Sequence, residues 1–270
     1  ILPVQRFIKS MEDQSLKLAD SVFGQTVSGK WVYESEVIDY VEEDLIMKPD
    51  LSTIRRIPWN KEPTAQIICD LYYSDGSPSA IAPRQVLKNI IGLLDQEELK
   101  AVVAPELEFY LCEQNLDPDL PLKTPIGKSG RREKGSRVFG IDAVNEFDDL
   151  TDDIYDYCEI LKIGVDTLIH ESGPSQIEIN LNHGDPLQLA DQAFMFKRAV
   201  RQVALKHGIH ATFMSKPYQG HPGSSMHIHQ NIISKKTNKN LFSDSNGNNT
   251  EEFFHFIGGL QTYLPDAMLF

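Results

Sequence analysis

Three pairs of polar side chains recur along this chain, and in each pair the two residues are separated by a single position. They are Glu106/Glu108 in AVVAPELEFYL, Gln176/Glu178 in GPSQIEINLN and His227/His229 in GSSMHIHQNI. All three stretches are rich in apolar and β-branched residues, which favour strands. Because positions i and i+2 of a strand point to the same face, the pattern predicts a sheet with paired polar groups on one side.

Carboxylates mixed with imidazoles are typical ligands for Mg²⁺, Mn²⁺ or Zn²⁺. Glu171, seven residues before Glu178, adds a further carboxylate, which we place at the start of a strand. Crowded carboxylates repel one another, and two metal ions would relieve that repulsion and could bridge the phosphates of a nucleotide. The alternative is that each pair merely lines the solvated face of an antiparallel sheet. We interpret the three pairs together as a metal-binding sheet face.

The formal net charge of the 270 residues is −13 at pH 7. This charge argues against a nucleic-acid or anionic-membrane binder, since both need a basic surface. No apolar run approaches the roughly 20 residues that a membrane span requires. The three cysteines predict neither a disulfide framework nor a zinc cluster, so we expect a reducing, cytoplasmic environment. Because the chain begins at Ile1 and stops at Phe270 after the apolar run AMLF, we expect both natural termini to be missing.

The first third of the chain is predicted to be rich in short strands. Apolar residues at helical spacing predict a helix from about Pro3 to Leu18. Strand candidates follow in LIMK, TIRRIPW and TAQIICDLYY, the last taken as one continuous strand. A helix over 83–96, with Pro in its first turn, marks a change of pattern and predicts a domain boundary near residue 82.

The rest of the chain mixes longer helices with strands. Residues 113–137 are polar and rich in Pro, Gly, Lys and Arg, which predicts a long surface loop. Helices are expected over 148–162, 186–207 and 251–263, and strands over 101–111, 175–182, ATFMSK and SSMHIHQNII. We therefore expect a small β-rich unit, residues 1–82, followed by an α+β unit, residues 83–270, with mostly antiparallel pairing.

Four linked segments resemble the glutamine synthetase family. They are APELEFYL, HESGPSQIEIN, ADQAFMFKRAVRQVALKHGIHATFMSKP and GHPGSSMHIHQN, in the order of the family and at compatible spacing. The segments GKWVYES and MKPDLST resemble the family's N-terminal β-grasp domain, so the resemblance covers nearly the whole chain. QIEINLNHGDP, MHIHQ and Pro222 before Gly223 make it most similar to the γ-glutamylpolyamine and γ-glutamylputrescine synthetases.

The resemblance implies a β-grasp-like domain followed by a catalytic domain whose antiparallel sheet is flanked by helices. The family's later arginines, flap glutamate and a further metal ligand would lie beyond Phe270, so we expect the C-terminal part to be missing. The implied activity is an ATP-dependent ligase. The γ-carboxylate of glutamate accepts a phosphoryl group from ATP, and ammonia or an organic amine then displaces phosphate. The resemblance also implies two or more Mg²⁺ or Mn²⁺ ions per site and a ring-like homo-oligomer, specifically a dodecamer.

Metal ligands are carried over from the family by position. Glu108, Glu171 and Glu178 would hold one ion, while Glu106 and His227 would hold the second. Without the resemblance, the sequence favours a metal-ligand role for Glu171 no more than that of an ordinary helix-flanking or loop carboxylate.

Residues that contact substrates are carried over in the same way. His227 also borders the substrate, His229 matches a nucleotide-side residue, and Gly223 matches a backbone contact to glutamate. Asp50 matches an acidic residue that reaches a neighbouring subunit's site, where it binds and deprotonates the incoming ammonium. Without the resemblance, the sequence favours a turn-forming role for Asp50. For His229 it favours a functional role no more than that of a half-buried histidine in a sheet.

The chain departs from the ammonia-using members of the family at Pro222, and two other functions are compatible with the same residues. Pro222 stands where ammonia-using glutamine synthetases commonly have Asn, so we favour an organic amine over ammonia as the acceptor. A metal-dependent hydrolase could use the same ligands, but the ordered motifs disfavour it. A catalytically inactive, glutamine-synthetase-like scaffold would be marked by lost ligands, and none of those named above is lost. The acidic run Glu42-Glu43-Asp44 is expected to be a solvated surface.

Overall fold

The structure, a computed structural model, describes residues 1–26, 28–31, 43–117, 119–135 and 137–267. Residues 32–35 of the GKWVYES segment and Glu42 of the acidic run lie outside the described residues. Backbone contacts divide the chain into two compact units, Ile1–Gly92 and Leu93–Phe270.

The described residues contain both helices and strands. The helices are α1 (Val4–Asp13), α2 (Pro83–Gln96), α3 (Ile141–Asn145), α4 (Asp148–Leu161), α5 (Pro186–Lys206) and α6 (Glu251–Ala267). The strands are β1 (Lys17–Ala19), β2 (Asp44–Pro49), β3 (Arg55–Arg56), β4 (Ala65–Gln66), β5 (Cys69–Tyr72), β6 (Leu99–Glu113), β7 (Val165–His170), β8 (Gln176–Leu181), β9 (Ile209–Thr212) and β10 (Met226–Ser234). The extents of α2 and α5 agree with those predicted from their flanking Pro and Gly residues.

The first unit contains a three-stranded antiparallel sheet, ordered β1-β2-β5, and the short pair β3-β4. The helix predicted to extend to Leu18 was placed too long. It ends at Asp13 because Gln14 adopts a left-handed conformation, with φ of 50°, and the chain then enters β1. A left-handed residue of this kind ends helices commonly.

The segment TAQIICDLYY forms two strands rather than the one predicted. Ile68 lies between β4 and β5 and bonds to a 3-10 turn instead of a strand. Its N–H donates to Oγ1 of Thr53 at 2.9 Å, and its carbonyl accepts from the Asp50 N–H at 2.9 Å. These contacts between residues distant in sequence interrupt the expected strand.

The second unit is built on a five-stranded antiparallel sheet, which confirms the predicted pairing direction. Its order is β10-β6-β8-β7, and β9 also pairs with β6. The long strand β6 shares one edge between two partners: β10 pairs along Leu99–Leu107, and β9 pairs along Tyr110–Glu113. Strand β8 occupies the other edge of β6.

Alternation along β6 separates the core from the polar face. Leu107, Phe109 and Leu111 are buried, and Phe109 packs edge-on against Phe196 of α5, with ring centroids 6.4 Å apart. A fully buried side chain of this size contributes about 1.5–3 kcal/mol. Since neighbouring strand residues face opposite ways, Glu106 and Glu108 must point away from this helix-covered side.

Two details of the second unit differ from expectation. Strand β7 was not predicted. Glu171, which we had placed at a strand start, instead follows the end of β7 in the turn that leads to β8. Among the described residues, no helix is both long and apolar enough to cross a membrane.

Candidate active site

Strand register brings the predicted carboxylates and imidazoles onto one face of the larger sheet. Glu108 of β6 lies opposite Glu178 of β8, and Glu106 lies opposite His227 of β10. Directly opposed residues of an antiparallel pair share a face, and residues two positions along the strand join them. His229 therefore lies on the same face as His227. The predicted polar sheet face is present.

Three of these side chains form a compact group, which we call the cluster: Glu106, Glu178 and His227. Each offers one ligand atom, and these atoms lie within 4.8 Å of one another. Nδ1 of His227 is 3.3 Å from Oε2 of Glu106 and 3.9 Å from Oε1 of Glu108. Nε2 of His229 lies 2.7 Å from Oε1 of Glu106, so the second imidazole borders the cluster.

The carboxylates lie deeper than the imidazoles. Glu108 and Glu178 are 8% and 6% exposed, whereas the side chains of His227 and His229 are 58% and 66% exposed. Burial, more than any other cause, raises the pKa of both Glu108 and Glu178 above the usual range. The negative charges of Glu106 and Glu171 raise both pKa values further. The charges of neighbouring carboxylates around the buried Glu108 and Glu178 are therefore not fully balanced by positive charge.

Oxygen and imidazole donors of this kind suit a hard or borderline divalent cation. A cation beside Glu106, Glu108 and Glu178 would offset the repulsion that, after burial, helps to raise the pKa values of Glu108 and Glu178, so these residues fit a metal ion on chemical grounds. Glu171 stands apart from the cluster. Its Oε2 accepts a hydrogen bond from the Ser172 N–H at 2.8 Å, although its charge still acts on Glu108 and Glu178.

The loop before β10 passes close to β6. Glu108 donates its N–H to the Ser225 carbonyl at 3.1 Å, and the Ser225 N–H donates to Oε2 of Glu108 at 3.1 Å. The hydroxyl of Tyr110 donates to the Pro222 carbonyl at 2.8 Å. A Cβ on Gly223 would come within 2.7 Å of the Ser215 carbonyl oxygen, so this position requires glycine.

Two polar residues of β8 have contacts that the sequence did not indicate. Gln176 is fully buried and donates to Oε2 of Glu108 at 2.9 Å. Asn180 lies opposite Glu106, and its side-chain hydrogen bond lowers the pKa of Glu178, against the larger effect of burial. Both residues lie two positions from Glu178. The spacing that placed Gln176 and Glu178 on this face could therefore have placed Asn180 there as well.

Asp50 belongs to the first unit and is the N-cap of the 3-10 turn Leu51–Thr53. Its Oδ1 accepts from the Ser52 N–H at 3.0 Å and from the Ser52 hydroxyl at 2.6 Å. Its Oδ2 is 2.6 Å from a guanidinium nitrogen of Arg84. The hydrogen bond from the Ser52 hydroxyl, and then the one from Arg84, lower the pKa of Asp50 to about 2. The turn-forming contacts read from the sequence are thus present, together with an ion pair.

The chain is similar in sequence to known proteins. The chain is 35% identical over 253 residues to γ-glutamylputrescine synthetase PuuA of Escherichia coli (strain K12), covering 92% of this chain and 53% of that protein. It is 33% identical over 253 residues to a glutamine synthetase of Pyrococcus abyssi (strain GE5 / Orsay), covering 93% and 54%. The chain thus spans about half the length of the curated relatives it matches.

The fold has a solved counterpart as well. The structure of apo GmaS without ligand superposes with a TM-score of 0.77 at 24% identity, covering 97% of this chain and 57% of that one. Residues 80–270 match the family model of the glutamine synthetase catalytic domain, and that range contains every cluster residue. The chain therefore belongs to the glutamine synthetase family.

Proposed function

We propose that the full-length protein is an ATP-dependent ligase that joins the γ-carboxylate of glutamate to an amine or ammonia through a γ-glutamyl phosphate. The observation that carries this proposal is the convergence of Glu106, Glu108, Glu178 and His227 on one face of a sheet within the family's catalytic domain. An inactive scaffold finds no support, because the proposed ligand positions of this chain are intact.

Two or more divalent cations, Mg²⁺ or Mn²⁺, are the proposed cofactors. Glu108, Glu171 and Glu178 are the proposed ligands of one ion, and Glu106 and His227 those of the second. When bound, such ions supply positive charge to phosphate oxygens during phosphoryl transfer. Support comes from the closeness of the cluster atoms and from the raised pKa values of Glu108 and Glu178.

The exposed and loop residues have separate proposed roles. His229, beside Glu106 and largely exposed, borders the nucleotide, and His227 also borders the substrate. Gly223 contacts glutamate through its backbone, and the close approach of Ser215 leaves no space for a larger residue there. In this arrangement the chain orients both reactants, which is the main protein contribution to phosphoryl transfer.

Asp50 is proposed to bind the incoming amine in a neighbouring subunit's site. With a pKa of about 2, it stays ionised at neutral pH and can attract a cationic amine. A carboxylate with so low a pKa is a weak proton acceptor, so binding has more support than deprotonation.

An organic amine is the proposed acceptor, in preference to ammonia. Pro222 presents a carbonyl, which is held by Tyr110, but no side-chain hydrogen-bond donor or acceptor before Gly223. The similarity to a γ-glutamylputrescine synthetase points the same way.

The domains of the protein, its assembly and its location in the cell are also proposed. Residues 1–82 are proposed as a β-grasp-like domain and residues 83–270 as the catalytic domain, the second supported by the family model that matches residues 80–270. A ring-like homo-oligomer, specifically a dodecamer, is the proposed assembly. A cytoplasmic location is supported by Cys69, Cys112 and Cys158, which are free thiols.

The test is an ADP-release assay on the full-length protein with ATP, glutamate, Mg²⁺ or Mn²⁺ and a panel of amines that includes ammonia and diamines. ADP release that depends on both glutamate and an amine, with the γ-glutamyl amide identified by mass spectrometry, is the expected result. A metal-loaded, assembled protein that releases no ADP with any amine would contradict the proposal.

A further inference from the structure

Gln176, the first residue of β8, connects several parts of the candidate site through one side chain. It is fully buried and lies two positions before Glu178, on the same face. A buried side-chain amide offers two N–H donors and a carbonyl acceptor, and leaving such a group unpaired is unfavourable. Here its Oε1 accepts from the Gly173 N–H at 2.8 Å. Its Nε2 donates to Oε2 of Glu108 and to the Gly223 carbonyl, both at 2.9 Å.

These partners determine which way the amide points. If the amide were turned over, Nε2 would face the Gly173 N–H, and Oε1 would face two acceptor oxygens. All three contacts would then be unfavourable, so the orientation follows from the chemistry of the partners.

The amide in turn fixes the Glu108 carboxylate. Oε2 of Glu108 receives two donors, Nε2 of Gln176 and the N–H of Ser225. The other oxygen, Oε1, lies 3.9 Å from Nδ1 of His227, on the side of the cluster. One oxygen is thus held by the protein, while its partner is directed toward the place proposed for a cation.

The same amide also holds the loop that contains Gly223. Glu108 and Gly223 are 68 and 47 residues away from Gln176 in sequence, so the amide joins three segments that are distant along the chain. We propose that Gln176 is a positioning residue. It orients the Glu108 carboxylate toward the cluster, and it holds the loop that contains Gly223 beside Glu108. The identity of the bound species rests on the proposed function, whereas the hydrogen bonds do not.

The test uses the full-length protein and the substitution Gln176→Glu. This change keeps the shape of the side chain and the acceptor for the Gly173 N–H, but it places an oxygen against Glu108 and the Gly223 carbonyl. Calorimetric titration with Mn²⁺ alone should show an affinity at least about ten-fold weaker, in line with the loss of residues that orient metal ligands. The KM for glutamate should rise as well, because the loop is released.

Gln192→Glu is the matched control. Gln192 lies on helix α5, and its Oε1 accepts a hydrogen bond from the Gly164 N–H at 3.1 Å. As at Gln176, the change to Glu keeps an oxygen that can accept this bond from a glycine N–H. Its Mn²⁺ affinity should equal that of the wild type. A second variant, Gln176→Met, removes all three hydrogen bonds without adding a charge and should weaken Mn²⁺ binding too.

The outcomes separate the two proposals. A wild-type protein that binds no Mn²⁺ would overturn the metal site of the proposed function and this inference with it. If the wild type binds Mn²⁺, and if Gln176→Glu or Gln176→Met is folded by circular dichroism yet binds Mn²⁺ equally well, only the role of Gln176 is overturned. A loss confined to the Gln176 variants supports it.

Discussion

Glu108 of β6 and Glu178 of β8 lie directly opposite each other, so two buried carboxyl groups meet across one antiparallel pair. Like charges in this position destabilise a sheet. The pKa of each is raised, first by burial and then by neighbouring carboxylates, so ionising both in the folded chain is unfavourable. A cation bound between the two carboxylates would attract both of them and so outweigh their mutual repulsion. The pair thus ties the stability of the sheet to cation binding.

We expect Mn²⁺ to raise the Tm of the full-length protein, because a ligand that binds only the folded state stabilises it. Glu178→Ala removes one cluster ligand and should weaken Mn²⁺ binding by about 100-fold or more, with ligase activity lost. Thermal unfolding with and without Mn²⁺, together with the ADP-release assay, measures both effects. Glu159→Ala, on an exposed position of α4, is the control. Equal losses in the two variants would indicate a folding defect rather than a site.

Gly223→Ala should impair the loop before β10. The added Cβ would come within 2.7 Å of the Ser215 carbonyl oxygen, so the backbone must move. We expect the KM for glutamate to rise by about ten-fold, equivalent to about 1.4 kcal/mol of binding free energy. Steady-state kinetics with glutamate varied provides the measurement.

Gly258→Ala makes the same substitution within helix α6, where an added Cβ has open space. It should leave the KM unchanged and, because Ala favours helix, stabilise the protein slightly. An unchanged KM in both variants would argue that Gly223 does not border glutamate.

Asp50→Asn tests the ion pair of the first unit. The Ser52 hydroxyl, and then Arg84, lower the pKa of Asp50 from 3.8 to about 2. Since the lowered pKa belongs to the folded state, this interaction stabilises the protein above pH 3.8, and the stabilisation is lost as the pH falls from 3.8 toward 2. At pH 7 the variant should lose about 1 kcal/mol of unfolding free energy, a value discounted for solvent screening.

Urea unfolding of wild type and variant at pH 7 and near pH 3 checks this dependence. The difference in unfolding free energy should be smaller at the lower pH. Asp166→Asn, at an exposed position of β7, controls for the loss of a carboxylate as such. A difference that stays constant or grows on acidification would contradict the lowered pKa.

The proposed shared site predicts complementation between inactive subunits. Full-length Asp50→Ala and Glu178→Ala proteins should each be inactive, since one lacks the amine-binding acid and the other a metal ligand. Reassembled together, they should recover part of the activity, because some interfaces then combine an intact Asp50 with an intact metal site. Formation of γ-glutamyl amide is the measurement. Verified mixed assemblies no more active than either parent would leave Asp50 with only its turn-forming contacts.

Much of the site could be predicted because it depends on local periodicity. The one-residue spacing of Glu106/Glu108 and His227/His229 is enough to place each pair on one face of a strand, and the register then brings the strands together. The bounds of α2 and α5 follow from local signals, Pro at the start of each helix and Gly208 after α5. Such features need no knowledge of distant contacts.

What could not be predicted depends on contacts between distant segments. Arg84 is 34 residues from Asp50, and no local pattern links them. The buried amide of Gln176 was grouped with the polar pairs, but its partners come from two other segments that only the folded register brings close. Glu171 was misplaced for a related reason. Strand β7 has a register shift between Val165 and Thr167, which interrupts its alternation, and its pairing with β8 identifies it.

The divided edge of β6 has a consequence for how ligands influence one another. Strand β10 ends its pairing at Leu107 and β9 begins at Tyr110, so Ser225 of the intervening loop bonds to Glu108 in the gap. A molecule that moves Ser225 would therefore change the hydrogen bonds of Glu108. If Glu108 binds a cation as proposed, occupancy of the loop and affinity for the cation would be thermodynamically coupled, and the coupling would act equally in both directions.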